Sequence, residues 1–148
     1  MTAMDAVEET IDLSREKNSE AKIDFVTADI FEWRPTGRYD FIFFGFWLSH
    51  VPAERFDAFW EKLEKVLQPG GRVFFVDSLK AQSATAHGHQ VLDDSGVDKR
   101  SLNSGETFRI VKYFYEPETI EEKLRSLGWS GEASRTEEFF VYGAFQKS

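Results

Sequence analysis

Apolar runs of strand length alternate along this chain with stretches of helical period. The opening Met1-Thr2-Ala3-Met4-Asp5 reads as the end of a buried strand running into an acid. A helix follows at once. Val7 and Ile11 are one turn apart, Glu8 and Glu9 lie early, and Arg15 and Lys17 lie late, an order that suits the helix dipole. Asp5 and Glu8 are spaced to form a capping box. Ile23 to Asp29 (IDFVTAD) is a second β-rich run ending in an acid, and Arg34-Pro35-Thr36-Gly37 supplies turn chemistry. Tyr39 to Trp47 (YDFIFFGFW) is almost continuously apolar, as in a parallel strand covered on both faces.

The clearest helix is predicted over Pro52 to Leu67. Phe56, Phe59, Trp60, Leu63, Val66 and Leu67 share a face, and Pro69-Gly70-Gly71 stops it. Arg72 to Asp77 (RVFFVD) is another buried strand with an acidic end. The chain then turns polar from 78 to 106, predicting a loop or lid with a short hairpin around Asn103-Ser104-Gly105. Phe108 to Tyr115 reads as a strand. A helix starts at Glu116-Pro117, carries Ile120, Leu124 and Leu127 on one face, and ends at Gly128. Glu137 to Gln146 is a final strand.

This alternation predicts a single α/β domain over 1–148, with 78–106 as a polar lid or hairpin insertion and a largely parallel sheet between helices. Ligands of such sheets lie beyond the carboxyl ends of the strands. Asp5, Asp29 and Asp77 all end predicted strands at that edge.

Composition narrows the chemistry. The 148 residues are 41% hydrophobic and 30% charged, as in a globular chain long enough for a sizeable core. A net charge of −8 argues against a nucleic-acid partner, since phosphate neutralisation needs clustered Lys and Arg. With no cysteine, disulfides, thiolate metal sites and a Cys nucleophile are excluded. No run is apolar enough to span a bilayer and no signal peptide is visible, so the expectation is a cytoplasmic protein without a membrane partner. The aromatic share of 16%, including 15 Phe, points to a core or pocket built from rings.

Taken together, Thr27-Ala28-Asp29-Ile30, the YDFIFFGFWLSHVP segment, the LQPGGRVFFVD block and the closing helix–Gly128-Trp129–strand pattern resemble the class I S-adenosylmethionine-dependent methyltransferases. The likeness runs from Met1 to about Phe145. It implies a Rossmann-like three-layer fold, a mostly parallel sheet with an antiparallel C-terminal strand, and S-adenosyl-L-methionine as cofactor. It also implies roles for single residues. Asp5 would accept hydrogen bonds from both ribose hydroxyls, for which a carboxylate with only acceptors is suited. Asp29 would receive the adenine amino group, with Ala28 and the backbone of Ile30 beside the ring. Gly45, Phe46 and Trp47 would lie under the methionine part, where the two rings could favour the sulfonium by about 0.5–2 kcal/mol.

The chain departs from the family pattern at its start. The family's first strand and the glycine-rich turn after it are missing, so the expected fold is incomplete on its N-terminal side and the sequence reads as a truncated form. In the family that strand lies between the second and the fourth. Its loss would leave strand edges with unpaired backbone groups, to be closed by direct pairing, by another polypeptide or by a homo-oligomer through the exposed edge.

Each candidate has a plainer structural reading. Asp5 could merely cap its helix, and Asp29 could be a turn residue. Asp77 could contact substrate or be a solvated strand-end acid. Phe46 and Trp47 could belong to the core. His50, just after the fourth family strand, is the candidate general base, because a neutral imidazole accepts a proton from a hydroxyl or amine; packing at a helix start beside Val51 and Pro52 is the alternative. Tyr113 and Tyr115 could line the acceptor pocket or pack. His87 and His89 with Asp93 and Asp94 fit no familiar zinc spacing, and no metal site is expected. The activity expected is methyl transfer to a small-molecule acceptor. The alternatives are a non-catalytic relative serving as a binding or oligomerisation module, or another nucleotide-using enzyme such as a dehydrogenase.

Overall fold

The computed structural model describes residues 1–35, 37–79, 97–101 and 107–147, in two compact units, Met1–Gly37 and Arg38–Ser148. Most of the expected lid, its hairpin tip at Asn103-Ser104-Gly105, and the residues His87, His89, Asp93 and Asp94 lie outside the described residues.

In the first unit β1 (Thr2–Asp5) leads into α1 (Glu8–Lys17) and then β2 (Asp24–Thr27). The two strands pair in parallel, Thr2 opposite Asp24 and Asp5 opposite Thr27. A right-handed crossover is the usual way for a helix to join such strands. Ile11 is the buried anchor of α1, at 2% exposure. The expected capping box does not form. The helix caps at Val7, and Asp5 Oδ1 instead accepts the Val7 N–H at 2.8 Å, an Asx turn just ahead of the helix.

In the second unit β3 (Tyr39–Gly45) pairs in parallel with β4 (Leu67–Ser78). Between them come short 3₁₀ turns at Leu48–His50 and Ala53–Arg55, then α2 (Phe56–Val66). The expected helix from Pro52 thus starts later. Pro52 is extended at ψ 142°, and a 3₁₀ turn precedes α2. Pro69-Gly70-Gly71 stops the helix as expected, but as an irregularity inside the strand: Tyr39 faces Leu67 while Phe41 already faces Arg72. Gly70 takes φ +78° there, a conformation that suits glycine.

β5 (Val97–Ser101) and β6 (Thr107–Val111) form an antiparallel pair, so the strand expected to reach Tyr115 ends sooner. α3 (Pro117–Ser126) begins on its proline, and Gly128 at φ +78° turns the chain out of it. The last two strands are β7 (Trp129–Arg135) and β8 (Phe140–Lys147). β8 enters the sheet antiparallel to β4, as expected of the C-terminal strand, and β7 lies antiparallel outside it, giving the order β3-β4-β8-β7.

One face of this sheet is covered. Val73, Phe75, Val141 and Phe145 are at most 3% exposed beneath α2 and α3, where Phe56, Phe59, Trp60, Ile120 and Leu124 are at most 1% exposed. Trp60 is the hub: its indole meets Phe75 and Phe145 of the sheet edge-on, with centroids 6.4 and 6.1 Å away. At about 1.5–3 kcal/mol for each large side chain buried, this cluster is the main stabilising element of the unit. Lys147 closes its rim, bonding Glu64 at 2.8 Å and the Leu127 carbonyl at 2.7 Å. The opposite face carries Phe41 and Phe43, both more than half exposed. Among the described residues β3 has one ladder partner, β4, and no helix is long and apolar enough to cross a membrane.

Candidate functional site

In the first unit the chemistry gathers where β1 and β2 end. The strands run parallel with Asp5 opposite Thr27, so Asp29 emerges two residues later at the same carboxyl edge. The Ala28 N–H donates to the Asp5 carbonyl at 3.0 Å, which ties the two strand ends together. Asp29 then builds a tight turn. Its Oδ1 accepts the Phe31 N–H at 2.8 Å, and its carbonyl accepts from Glu32 and Trp33. Both aspartates therefore spend one carboxylate oxygen on the local backbone, and among the described residues the other oxygen of each has no hydrogen-bond donor. A partly exposed carboxylate fixed in direction and with a lone-pair face to spare suits a donor-bearing ligand such as a ribose or an exocyclic amine. Ala28 and Ile30 flank Asp29 and are half-buried.

In the second unit the corresponding edge is where β3 and β4 end, with Gly45 opposite Val76. Gly45 is not demanded by crowding: a Cβ there would meet Phe43 and Val76 at 3.5 Å, ordinary contact. The unusual residue is the next one. Phe46 adopts φ +55°, a left-handed conformation that costs a bulky side chain about 1–2 kcal/mol. Its N–H donates to the Val76 carbonyl at 2.8 Å, and its half-exposed ring meets Phe140 at 5.9 Å. Nothing in the apolar run YDFIFFGFW signals this reversal, since aromatic residues rarely take it.

Trp47 follows and leans toward α2, with its ring 6.5 Å from that of Phe59. Its indole N–H is buried without an acceptor among the described residues. His50 closes the 3₁₀ turn, half-buried, its N–H donating to the Trp47 carbonyl at 2.9 Å. Asp77 is not the solvated strand-end acid that its position allowed. It is 2% exposed, and its carboxylate holds the backbone of the turn through the Ser49 N–H at 2.9 Å. Tyr115 lies against Phe56 with centroids 5.5 Å apart. Burial, then the neighbouring Tyr113 and Glu54, push its phenol up to about 12, so it stays a neutral donor at any physiological pH. Among the described residues no cluster of His, Asp and Glu is arranged to hold a metal.

A concavity lined by Arg38, Glu64, Gln68, Gly70, Trp129 and Lys147 lies at the opposite end of β4. Open α/β sheets bind ligands beyond the carboxyl ends of their strands, so the Gly45 and Ser78 end is the better site candidate.

Two parallel pairs, β1–β2 and β3–β4, each joined through a helix, with an antiparallel last strand beside β4, are the elements of a Rossmann-like α/β fold. The comparisons with known proteins agree. A family model described as a methyltransferase domain matches residues 1–71. The solved DhpI–SAH complex is 34% identical with a TM-score of 0.83, over 99% of this chain and 65% of that one. The DhpI–SAM–HEP complex is 33% identical with the same TM-score of 0.83, over 98% of this chain and 67% of that one. The PH0226 protein of Pyrococcus horikoshii shares the fold, at 14% identity and a TM-score of 0.79, over 100% of this chain and 71% of its own. The chain belongs to the class I S-adenosylmethionine-dependent methyltransferase family. It spans 65% of the length of the DhpI chain in the SAH complex. No curated protein matches it.

Proposed function

We propose that this chain binds S-adenosylmethionine and serves methyl transfer to a small-molecule acceptor. The observation that carries the reading is the pair of carboxylates at one edge of the β1–β2 ladder, each with an oxygen free of donors among the described residues. In this reading Asp5 accepts the ribose hydroxyls. Asp29 accepts the adenine amino group while Ala28 and Ile30 border the ring. Gly45, Phe46 and Trp47 lie beside the methionine portion, where the two rings favour a cation by about 0.5–2 kcal/mol. When bound, the cofactor supplies a methyl group already activated on a sulfonium sulfur. The chain's own task is then alignment. His50 takes the proton that a hydroxyl or amine acceptor loses as it is alkylated. The net charge of −8 and the aromatic turn favour a small acceptor over a nucleic acid.

Thermal unfolding with S-adenosylhomocysteine tests this. Ligand at about 100 times its dissociation constant adds about 2.7 kcal/mol of stability, so the midpoint should rise measurably. Asp5→Ala and Asp29→Ala should each remove most of that rise. A wild-type chain whose midpoint does not move at millimolar ligand would end the proposal.

A second reading is favoured by the outer edge of β3, which no described strand covers, and by the exposed Phe41 and Phe43 beside it. In it the chain is a non-catalytic module that pairs with a second copy through that edge. Light scattering decides: a dimer lost in Phe43→Lys supports the reading, and a monomer at all concentrations removes it.

A further inference from the structure

Asp77 is an ionisable group held almost out of water at the end of β4, at 2% exposure. A buried carboxylate is tolerated when hydrogen bonds replace its hydration, and here both oxygens are satisfied by backbone. Oδ2 accepts the Ser49 N–H at 2.9 Å, and Oδ1 accepts the N–H of Ser78, its own neighbour, at 2.7 Å. The first of these bonds reaches across 28 residues of sequence to the 3₁₀ turn Leu48–His50. That turn is gripped on its other side as well, because the Ser49 carbonyl accepts the Tyr113 N–H at 2.7 Å. The Ser49 peptide units are thus clamped from two directions, and Ser49 itself is 2% exposed.

The turn needs such a clamp. It follows directly on Phe46, whose φ of +55° persists only where surrounding structure enforces it. A 3₁₀ turn of three residues has few bonds of its own, namely the His50 N–H to Trp47 and the Val51 N–H to Leu48. The Ser49 N–H has no acceptor within the turn and depends on Asp77. His50 follows Ser49 directly, and its N–H bonds the carbonyl of Trp47 two residues before Ser49, so whatever fixes the Ser49 peptide groups also fixes the backbone from which these two side chains are presented.

We propose that Asp77 is a positioning residue: its buried carboxylate sets the Leu48–His50 turn, and through it the directions of Trp47 and His50, without touching substrate. The proposal rests on the functional reading above in giving that turn a catalytic task. Its structural part stands apart from it and can be tested alone.

Amide hydrogen exchange of the wild-type chain and of Asp77→Asn separates the two. The amide keeps the shape of the side chain but cannot accept both N–H groups as a carboxylate does. In the wild type the Ser49 amide should be protected although it lies in a short turn. In Asp77→Asn it should exchange at least tenfold faster, together with its neighbours in the turn, while Val73 to Val76 in β4 keep their rates. Equal acceleration throughout the second unit would mark a general stabilising role and overturn the proposal, as would an unchanged Ser49 rate. Should the variant fail to fold, an unprotected Ser49 amide in the wild type would still refute the clamp. A parallel titration with S-adenosylhomocysteine should show about tenfold weaker binding in a folded Asp77→Asn. A wild type that binds no ligand would sink the functional reading and leave the exchange result to judge the clamp.

Discussion

The indole of Trp60 on α2 stands edge-on to that of Trp129 on β7, with ring centroids 5.1 Å apart and planes at 74°. The pair joins the helix layer to the outermost strand of the sheet, and Trp60 is completely buried. Trp60→Ala should cost about 3–5 kcal/mol, read as a lower midpoint in urea unfolding. Trp60→Phe should cost less, because it also removes an indole N–H that finds no acceptor among the described residues.

The left-handed Phe46 can be tested by a pair of substitutions. Phe46→Ala removes the ring and keeps the strained conformation, whereas Phe46→Gly removes both. The glycine variant should be the more stable of the two by about 1 kcal/mol, despite the usual entropic cost of glycine. Equal unfolding midpoints would show that the backbone there is unstrained.

β7 and β8 approach closely at Gly131. A Cβ there would run into the Ala144 carbonyl oxygen and come within 2.7 Å of the Phe145 ring. Gly131→Ala should therefore destabilise the second unit by about 1–3 kcal/mol. Gly37→Ala is the control. Nothing lies within 4 Å of its added methyl, so its thermal midpoint should hold or rise slightly.

Tyr115 gives a pH dependence with a definite sign. Its phenol is raised from 10.0 to about 12 in the folded chain, chiefly by burial. The unfolded chain therefore loses this proton first. The stability it contributes is complete below pH 10 and is lost as pH rises from 10 toward 12. Tyr115→Phe removes the titration, so the fall in melting temperature across that window should be shallower than in the wild type. Circular dichroism melts at successive pH values measure the difference.

Much of this architecture was legible because burial writes periodicity into sequence. The face Phe56, Phe59, Trp60, Leu63 and Val66 announced α2, and the apolar runs at Tyr39 and Arg72 announced the parallel pair β3 and β4. β7 was not legible as a strand. It is the edge of its sheet, only Trp129 in it is buried, and Trp-Ser-Gly-Glu-Ala-Ser-Arg carries no alternation. The strand-end position of Asp5, Asp29 and Asp77 could be read from the acids closing each apolar run. Their partners could not. Whether a carboxylate faces solvent, a nearby N–H or a turn 28 residues away depends on tertiary contacts, and Asp77 took the last course.

The place of β8 bears on how the chain acquires its structure during synthesis. It is the latest of the described strands to leave the ribosome, yet it lies between β4 and β7. Until it is made, among the described strands β4 has one unzipped side and β7 has no neighbour to join, so the nascent polypeptide waits with sticky backbone on display. Chaperone dependence in the cell should accordingly track the interval between translating Ser78 and Phe140, and slow codons within it would prolong the hazardous stage.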